Sequence, residues 1–284
     1  MMAKEPEGTI RVLITGENSY IGNALQQHLQ HTPEQFYVDK LSMRGQQWRT
    51  VDLSSYDCIF HPVGIAHVDT QGADTQTIQE YYRVNCDLAL ELAKKAQEQG
   101  VSQFIYMSSI IIYGESVFGK KAVPITAQTT PNPMNFYGKS KLQAEKQLIK
   151  MVDEYANNHP NQPKMQIARV RSPFVYGYGC KGNYQTLERL AAKVSIFPKF
   201  QNQRSMIYIE NLAEFLKILI RKGIGGTFYP QNAQIVSTSN MIAAIAAAGG
   251  RKISLWRAFN PLIFLCAMLP SKINRMVRKA FGSQ

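Results

Sequence analysis

Residues Ile10 to Thr15 (IRVLIT) form a short, β-branched apolar run that ends directly on Gly16, and helical apolar spacing follows at Ile21, Leu25 and Leu29. A run this short and this apolar reads as a strand buried on both faces, followed by a turn and a helix. The alternation continues down the chain. Strands are predicted at Phe36 to Met43, Asp57 to His61, Val101 to Ser108 and Ile167 to Val170. A helix is predicted from Tyr81 to Gln97, with Val84, Leu88 and Leu92 on one face, and a long one from Asn135 to Tyr155. Strands alternating with helices predict an α/β fold: a doubly wound parallel sheet, covered on both faces and joined by right-handed crossovers. The texture changes after about Pro173. A glycine-rich stretch (YGYGCKGN) precedes a helix at Tyr184 to Val194, a short strand at Met206 to Ile209, and helices at Asn211 to Arg221 and Ser239 to Ala248. Residues 1–172 are therefore expected to form the α/β domain, and 173–284 mainly a smaller C-terminal lobe.

The chain has 284 residues, of which 45% are hydrophobic, enough to bury a sizeable core and unlike a disordered composition. Cys58, Cys86, Cys180 and Cys266 stand far apart with no CxxC or Cys/His spacing, which fits a reducing compartment and argues against a metal site. The first residues, MMAKEPEGT, contain no apolar signal-like run, so a cytoplasmic chain is expected. The net charge is +12. Arg251, Lys252, Arg257, Lys272, Arg275, Arg278 and Lys279 crowd the C-terminal stretch with no acidic residue among them. A basic surface attracts nucleic acid, anionic lipid or a phosphorylated substrate. No nucleic-acid-binding module accompanies this one, so nucleic acid is not expected. Pro261 to Pro270 encloses eight apolar residues, too few for a span of roughly 20. Two readings stay open: a lobe helix packed on the core, which is the expectation, or peripheral contact of the basic C-terminal segment with a membrane surface.

The turn from Thr15 to Gly22 (TGENSYIG) suits a dinucleotide. Glycines let the backbone approach a pyrophosphate, and a helix N-terminus offers N–H groups and the positive end of its dipole. This turn resembles the TGxxGxxG fingerprint of the extended short-chain dehydrogenases/reductases, the NAD-dependent epimerase/dehydratase family, with Ser19 at the middle glycine position. The resemblance implies a Rossmann-type fold and an NAD or NADP cofactor held by Gly16, Ser19, Tyr20, Ile21 and Gly22. It places Asp52 and Leu53, following a third strand, at the adenine, and Gly64, Asn85 and Pro173 near the nicotinamide side. Arg44, near the end of the second strand, leans towards a 2′-phosphate and hence NADP; Asp39 would serve a ribose hydroxyl only if that strand ends early. His61 and His67 flank Gly64 and Ile65 and read as structural.

Tyr137 and Lys141 form a YxxxK pair, whose spacing puts both on one face of a helix. An ammonium beside a phenol is expected to lower its pKa from about 10 and let it work as an acid or base. Ser108, Ser109 and Ile110 to Gly114 (SSIIIYG) are similar to the family's serine segment, which makes Ser109 the catalytic serine, beside the substrate oxygen, and completes the set Ser109, Tyr137, Lys141. Lys141 would also hold the nicotinamide ribose.

Arg171 to Gly177 (RSPFVYG) resembles a segment of nucleotide-sugar epimerases and dehydratases, with Phe174 where many 4-epimerases carry asparagine. Gln203 to Asn211 (QRSMIYIEN) resembles the stretch whose arginine, here Arg204, binds the substrate diphosphate, with Asn183 in the same region. The resemblance implies an NAD(P)-dependent epimerase acting at C4 of a UDP-hexose and a homodimer built on the YxxxK helix. An NADPH-dependent 4-keto reductase of a UDP-deoxy(amino) sugar is the first alternative, and a non-catalytic dinucleotide sensor or scaffold the second. Relatives usually continue further, so the resemblance implies a substrate lobe shortened at its C-terminus.

Overall fold

The computed structural model describes residues 8–66, 74–119, 123–180, 183–269 and 272–283. His67, the Lys181–Gly182 pair of the glycine-rich stretch, and residues 1–7 lie outside the described residues. The chain divides into two compact units. Unit one comprises Met1–Gly114, Pro131–Pro173 and Ile207–Pro230; unit two comprises Glu115–Thr130, Phe174–Met206 and Gln231–Gln284. The chain thus passes between units several times, where the sequence suggested one change near Pro173.

Unit one is built on β1 (Ile10–Thr15), β2 (Phe36–Leu41), β3 (Cys58–His61), β4 (Gln103–Ser109) and β5 (Gln166–Ser172). Its helices begin with α1 (Tyr20–Leu29), α2 (Thr75–Tyr82), α3 (Leu88–Glu98) and α4 (Phe136–Asn158). The chain then passes through unit two with β6 (Phe174–Tyr176), α5 (Asn183–Lys193) and β7 (Ile196–Pro198), and β8 (Met206–Tyr208) leads back to α6 (Ile209–Lys222) and β9 (Gly226–Phe228) of unit one. The main sheet runs β2-β1-β3-β4-β5-β9 with every pairing parallel. Because β9 completes its edge beside β5, residues 207–230 belong with unit one. Leu13, Ile59, Phe104, Tyr106 and Ile167 turn to one face, where Leu92 of α3 and Leu148 of α4 join them in one buried cluster. On the other face α1 packs against α6, and His28 meets Glu214 at 2.7 Å.

Two expected elements differ. The strand ahead of Asp52 is instead a 3₁₀ turn, Gln47–Thr50. Trp48 is buried in the core, and Lys95 Nζ donates to the carbonyls of Arg49 and Val51, each at 2.5 Å. A side chain thereby satisfies carbonyls that a strand would offer to a ladder. The helix expected at Tyr81 to Gln97 begins earlier, at Thr75, and is broken by a π turn at Arg83–Asp87.

Unit two contains α5, α7 (Thr238–Ala248), the parallel pair of β7 with β10 (Ser254–Trp256), α8 (Asn260–Met268) and α9 (Lys272–Phe281). Its core joins Phe197, Phe200, Ile242, Ile253, Ile263 and Phe281. Asn202 Nδ2 donates to Thr238 Oγ1 at 3.1 Å and to the Gly282 carbonyl at 2.9 Å, tying the end of the described chain to the start of α7. Of the apolar segment that starts at Pro261, the residues up to Met268 form α8, which packs in the lobe through Ile263 and Ala267.

Candidate active site

In an open parallel sheet, ligands bind beyond the carboxyl ends of the strands where strand order reverses. Here that point lies between β1, which is followed by Gly16, and β3, which leads to Val63 and Gly64. Gly16 has φ +81°, and a Cβ there would stand 2.9 Å from Val63 Cγ2, so the turn closes tightly over the end of β3. Ser19 caps α1: its hydroxyl accepts the Gly22 N–H at 3.1 Å. The residue at the middle glycine position is therefore spent on the helix start, with Tyr20 and Ile21 in the first turn behind it.

Beneath the turn, Thr15 Oγ1 lies 2.8 Å from His61 Nδ1. Burial, with help from the Lys141 charge, pushes His61 down to about 3, and its ring stacks on Phe104 and Tyr106. A neutral imidazole locked this way is part of the core. Lys40 also reaches the turn, donating to the Glu17 carbonyl at 2.7 Å and to Asn23. The sequence reading missed this cation; a lysine at the end of a strand beside the glycine turn was the available signal.

Asn85 sits in the π turn, a deformation frequent at functional sites. Its Oδ1 accepts the Ile65 N–H at 2.7 Å, and its Nδ2 donates to the Ile65 carbonyl at 3.1 Å and to Ser140 Oγ at 3.0 Å. The Asn85 carbonyl accepts the Tyr106 hydroxyl at 2.6 Å. One asparagine thus joins the loop after β3 to helix α4. Next to it, a Cβ on Gly64 would stand 2.8 Å from Lys141 Nζ and 2.9 Å from Asn85 Oδ1. A glycine of positive φ after β1, a helix N-terminus and a cradle open only for want of a Cβ fit a dinucleotide.

Ser109 ends β4, and its hydroxyl accepts the Ile111 N–H at 3.3 Å. Asn135 caps α4 by accepting the Gly138 N–H at 2.8 Å, which sets Tyr137 in the first turn. There the Tyr137 phenol comes close enough to the Ser109 hydroxyl for Ser109 to favour its ionised form. Lys141, one turn on, is buried; its Nζ donates to the Met107 carbonyl at 2.8 Å and lies 4.6 Å above the Tyr106 ring. Burial lowers Lys141 to about 7, partly offset by Glu145. Burial raises Tyr137 to about 12, against which Ser109 works. The sequence argument expected a lowered phenol. With its ammonium turned to the Met107 carbonyl, Lys141 leaves desolvation to set the Tyr137 value.

Behind this group lies a network that sequence spacing did not suggest. Arg171 of β5 donates to Glu145 of α4, with Nη2 2.5 Å from Oε2 and Nε 3.1 Å from Oε1. Its Nη1 donates to the hydroxyls of Tyr113 and, at 3.0 Å, Tyr229. The Glu145 side chain is only 1% exposed. The pair clamps the YxxxK helix to β5 of the main sheet.

Asp52 Oδ1 accepts the Ser54 N–H at 2.9 Å, while buried Leu53 offers its N–H to Gln99 at 2.6 Å. Strand β2 runs on to Leu41, and Asp39 accepts the Tyr56 hydroxyl at 2.7 Å, so the condition for a ribose-binding Asp39 is not met. Arg44 is exposed, and Pro173 follows β5 directly. In unit two, Asn183 opens α5, and Arg204 pairs through its backbone with Val236 while its guanidinium donates to the Lys279 carbonyl. Among the described residues, no cluster of His, Cys, Asp and Glu could hold a metal ion.

The family model for the NAD dependent epimerase/dehydratase family matches residues 12–229. A UDP-glucose 4-epimerase of Vibrio cholerae is 29% identical over 84% of this chain and 75% of its own length. An N-acetyl-alpha-D-glucosaminyl-diphospho-ditrans,octacis-undecaprenol 4-epimerase of Escherichia coli O157:H7 is 26% identical over 76% of this chain and 64% of its own. Among solved structures, the UDP-N-acetylglucosamine 4-epimerase from Bacillus cereus superposes with a TM-score of 0.67 at 19% identity, covering 87% of this chain and 85% of that one.

Proposed function

The chain belongs to the NAD-dependent epimerase/dehydratase family, and from that premise we propose that it is an NAD(P)-dependent epimerase acting at C4 of a UDP-hexose. The observation that carries this reading is the meeting of Ser109, at the carboxyl end of β4, with Tyr137 in the first turn of α4, and Lys141 one helical turn away. A bound nicotinamide supplies hydride acceptor and donor chemistry. The chain's own residues move the proton. Ser109 hydrogen-bonds the C4 oxygen, and Tyr137 exchanges a proton with it. Lys141 and Asn85 border the Gly64 cradle that would seat the nicotinamide ribose. Arg204 and Asn183 are the proposed contacts to the sugar diphosphate.

A second reading, a 4-keto reductase, draws on the phenol itself. Burial keeps Tyr137 protonated at neutral pH, the state that donates a proton to a carbonyl oxygen being reduced. One experiment separates the two. The purified protein is denatured and any released nucleotide identified by mass, then UDP-hexoses are assayed for C4 inversion. Stoichiometric NAD or NADH with inversion supports the epimerase. An empty protein that prefers NADPH, loses that preference in Arg44→Ala, and reduces a 4-keto sugar without inversion would replace it. The name of the E. coli relative adds a second carrier to test, a polyprenyl diphosphate.

A further inference from the structure

The net charge of this protein is confined to one of its two units. Unit one carries 18 Lys and Arg against 18 Asp and Glu, whereas unit two carries 14 against only Glu115 and Glu188, so the whole +12 belongs to unit two. The same unit carries the largest exposed apolar side chains of the C-terminal helices. Helix α8 is apolar on every side, a composition expected of a helix buried all round. It is buried on one side only, through Ile263 and Ala267. Leu262 is 56% exposed, Leu265 59%, Met268 79% and Leu269 42%. At 100° per residue Leu262, Leu265 and Met268 fall on one arc, opposite Ile263 and Ala267, and Leu269 follows the helix in extended backbone.

Helix α9 packs on α8, with Asn274 Nδ2 donating to the Ala267 carbonyl at 2.6 Å. Ile273 and Met276 of α9 are 50% and 63% exposed. Lys252, ahead of β10, Arg257, just before α8, and Lys279 of α9 are exposed, and no acidic residue occurs from Arg251 onward. Two neighbouring helices thus present bulky apolar side chains to solvent amid fixed positive charge. A protein partner of ordinary composition would match the apolar part, but the one-signed charge calls for a surface of the opposite sign.

We propose that the outer face of α8 and α9 docks this protein onto an anionic lipid bilayer, with the α8 side chains entering the headgroup–acyl boundary and the surrounding cations meeting lipid phosphates. No helix among the described residues is long and apolar enough to cross a membrane, so the contact is peripheral. It is independent of the catalytic reading, because neither helix contributes a residue to the Ser109, Tyr137 and Lys141 group.

The test is co-sedimentation of the full chain with vesicles of phosphatidylcholine alone and of phosphatidylcholine with about one third phosphatidylglycerol. The chain is expected to pellet with the anionic vesicles, not with the neutral ones, and to be released at roughly 1 M salt, where screening is short-ranged. The triple variant Leu262→Gln, Leu265→Gln, Met268→Gln keeps the charge and should weaken partitioning at least about tenfold. A second variant, Lys252→Gln, Arg257→Gln, Lys279→Gln, should weaken it by a similar factor. All these side chains are exposed, and circular dichroism checks that both variants fold. Failure of the wild type to pellet with anionic vesicles would overturn the proposal, as would undiminished binding by the first variant. Sedimentation velocity supplies another adverse outcome: a dimer that the first variant dissociates, without vesicle binding, would assign the face to a second copy of the chain.

Discussion

Lys141 Nζ donates to the Met107 carbonyl at 2.8 Å, which places a buried ammonium at the end of β4 rather than against the Tyr137 phenol. Burial lowers that ammonium to about 7 from its ordinary 10.5. A folded-state value below the unfolded one means the unfolded chain binds more protons between the two. Stability from this group is therefore complete above 10.5 and is lost as pH falls towards 7. Without nucleotide, the urea midpoint of the wild type should rise from pH 7 to 9 relative to Lys141→Met, by an amount of the order of a few kcal/mol in unfolding free energy. Parallel pH profiles for the two proteins would show that burial does not lower Lys141 in the folded chain.

Tyr137→Phe removes the hydroxyl beside Ser109 and keeps the ring. Turnover should fall by about 10²–10⁴-fold, the range for losing a positioned proton donor. Dinucleotide affinity, read by fluorescence titration, should stay close to wild type. Unchanged turnover sinks the catalytic assignment.

The Glu145–Arg171 pair predicts an asymmetric stability effect. Arg171→Met leaves a carboxylate buried without its partner, and breaking such a pair costs about 3–5 kcal/mol. The double variant Glu145→Leu, Arg171→Met removes the stranded charge and should recover most of that loss in thermal unfolding. A double variant no more stable than the single one would show that the tyrosine hydroxyls at Arg171 dominate.

Gly64→Ala puts a methyl where Lys141 Nζ and Asn85 Oδ1 now sit. Lys141 and Asn85 are both buried and hydrogen-bonded and must give way, so the unfolding midpoint should fall while the fold is kept. The cradle, however, is filled, and dinucleotide affinity should drop at least about tenfold, as a loss of roughly 1.4 kcal/mol gives. Wild-type affinity in this variant would place the cofactor elsewhere.

The alternation of β-branched runs with helical spacing made the parallel sheet readable, because strand and helix periods are local properties of the chain. The glycine turn, Ser109 and the YxxxK pair were readable for the same reason: their spacings have a fixed meaning once a strand or helix is assigned. Trp48 shows the limit. Its neighbours look strand-like, yet the segment forms a 3₁₀ turn because Lys95, far along the chain, caps its carbonyls.

The sequence by itself determined the order of elements, the total charge of +12 and which side chains could carry the chemistry. Only the tertiary structure decided which of them meet. It turned Lys141 to Met107, joined Arg171 to Glu145 and two tyrosines, and gathered three separate segments into a unit that holds the entire net charge. The physical reason is common to all three. Burial and charge pairing depend on which distant segments pack together, and desolvation acts on a side chain only once that packing exists.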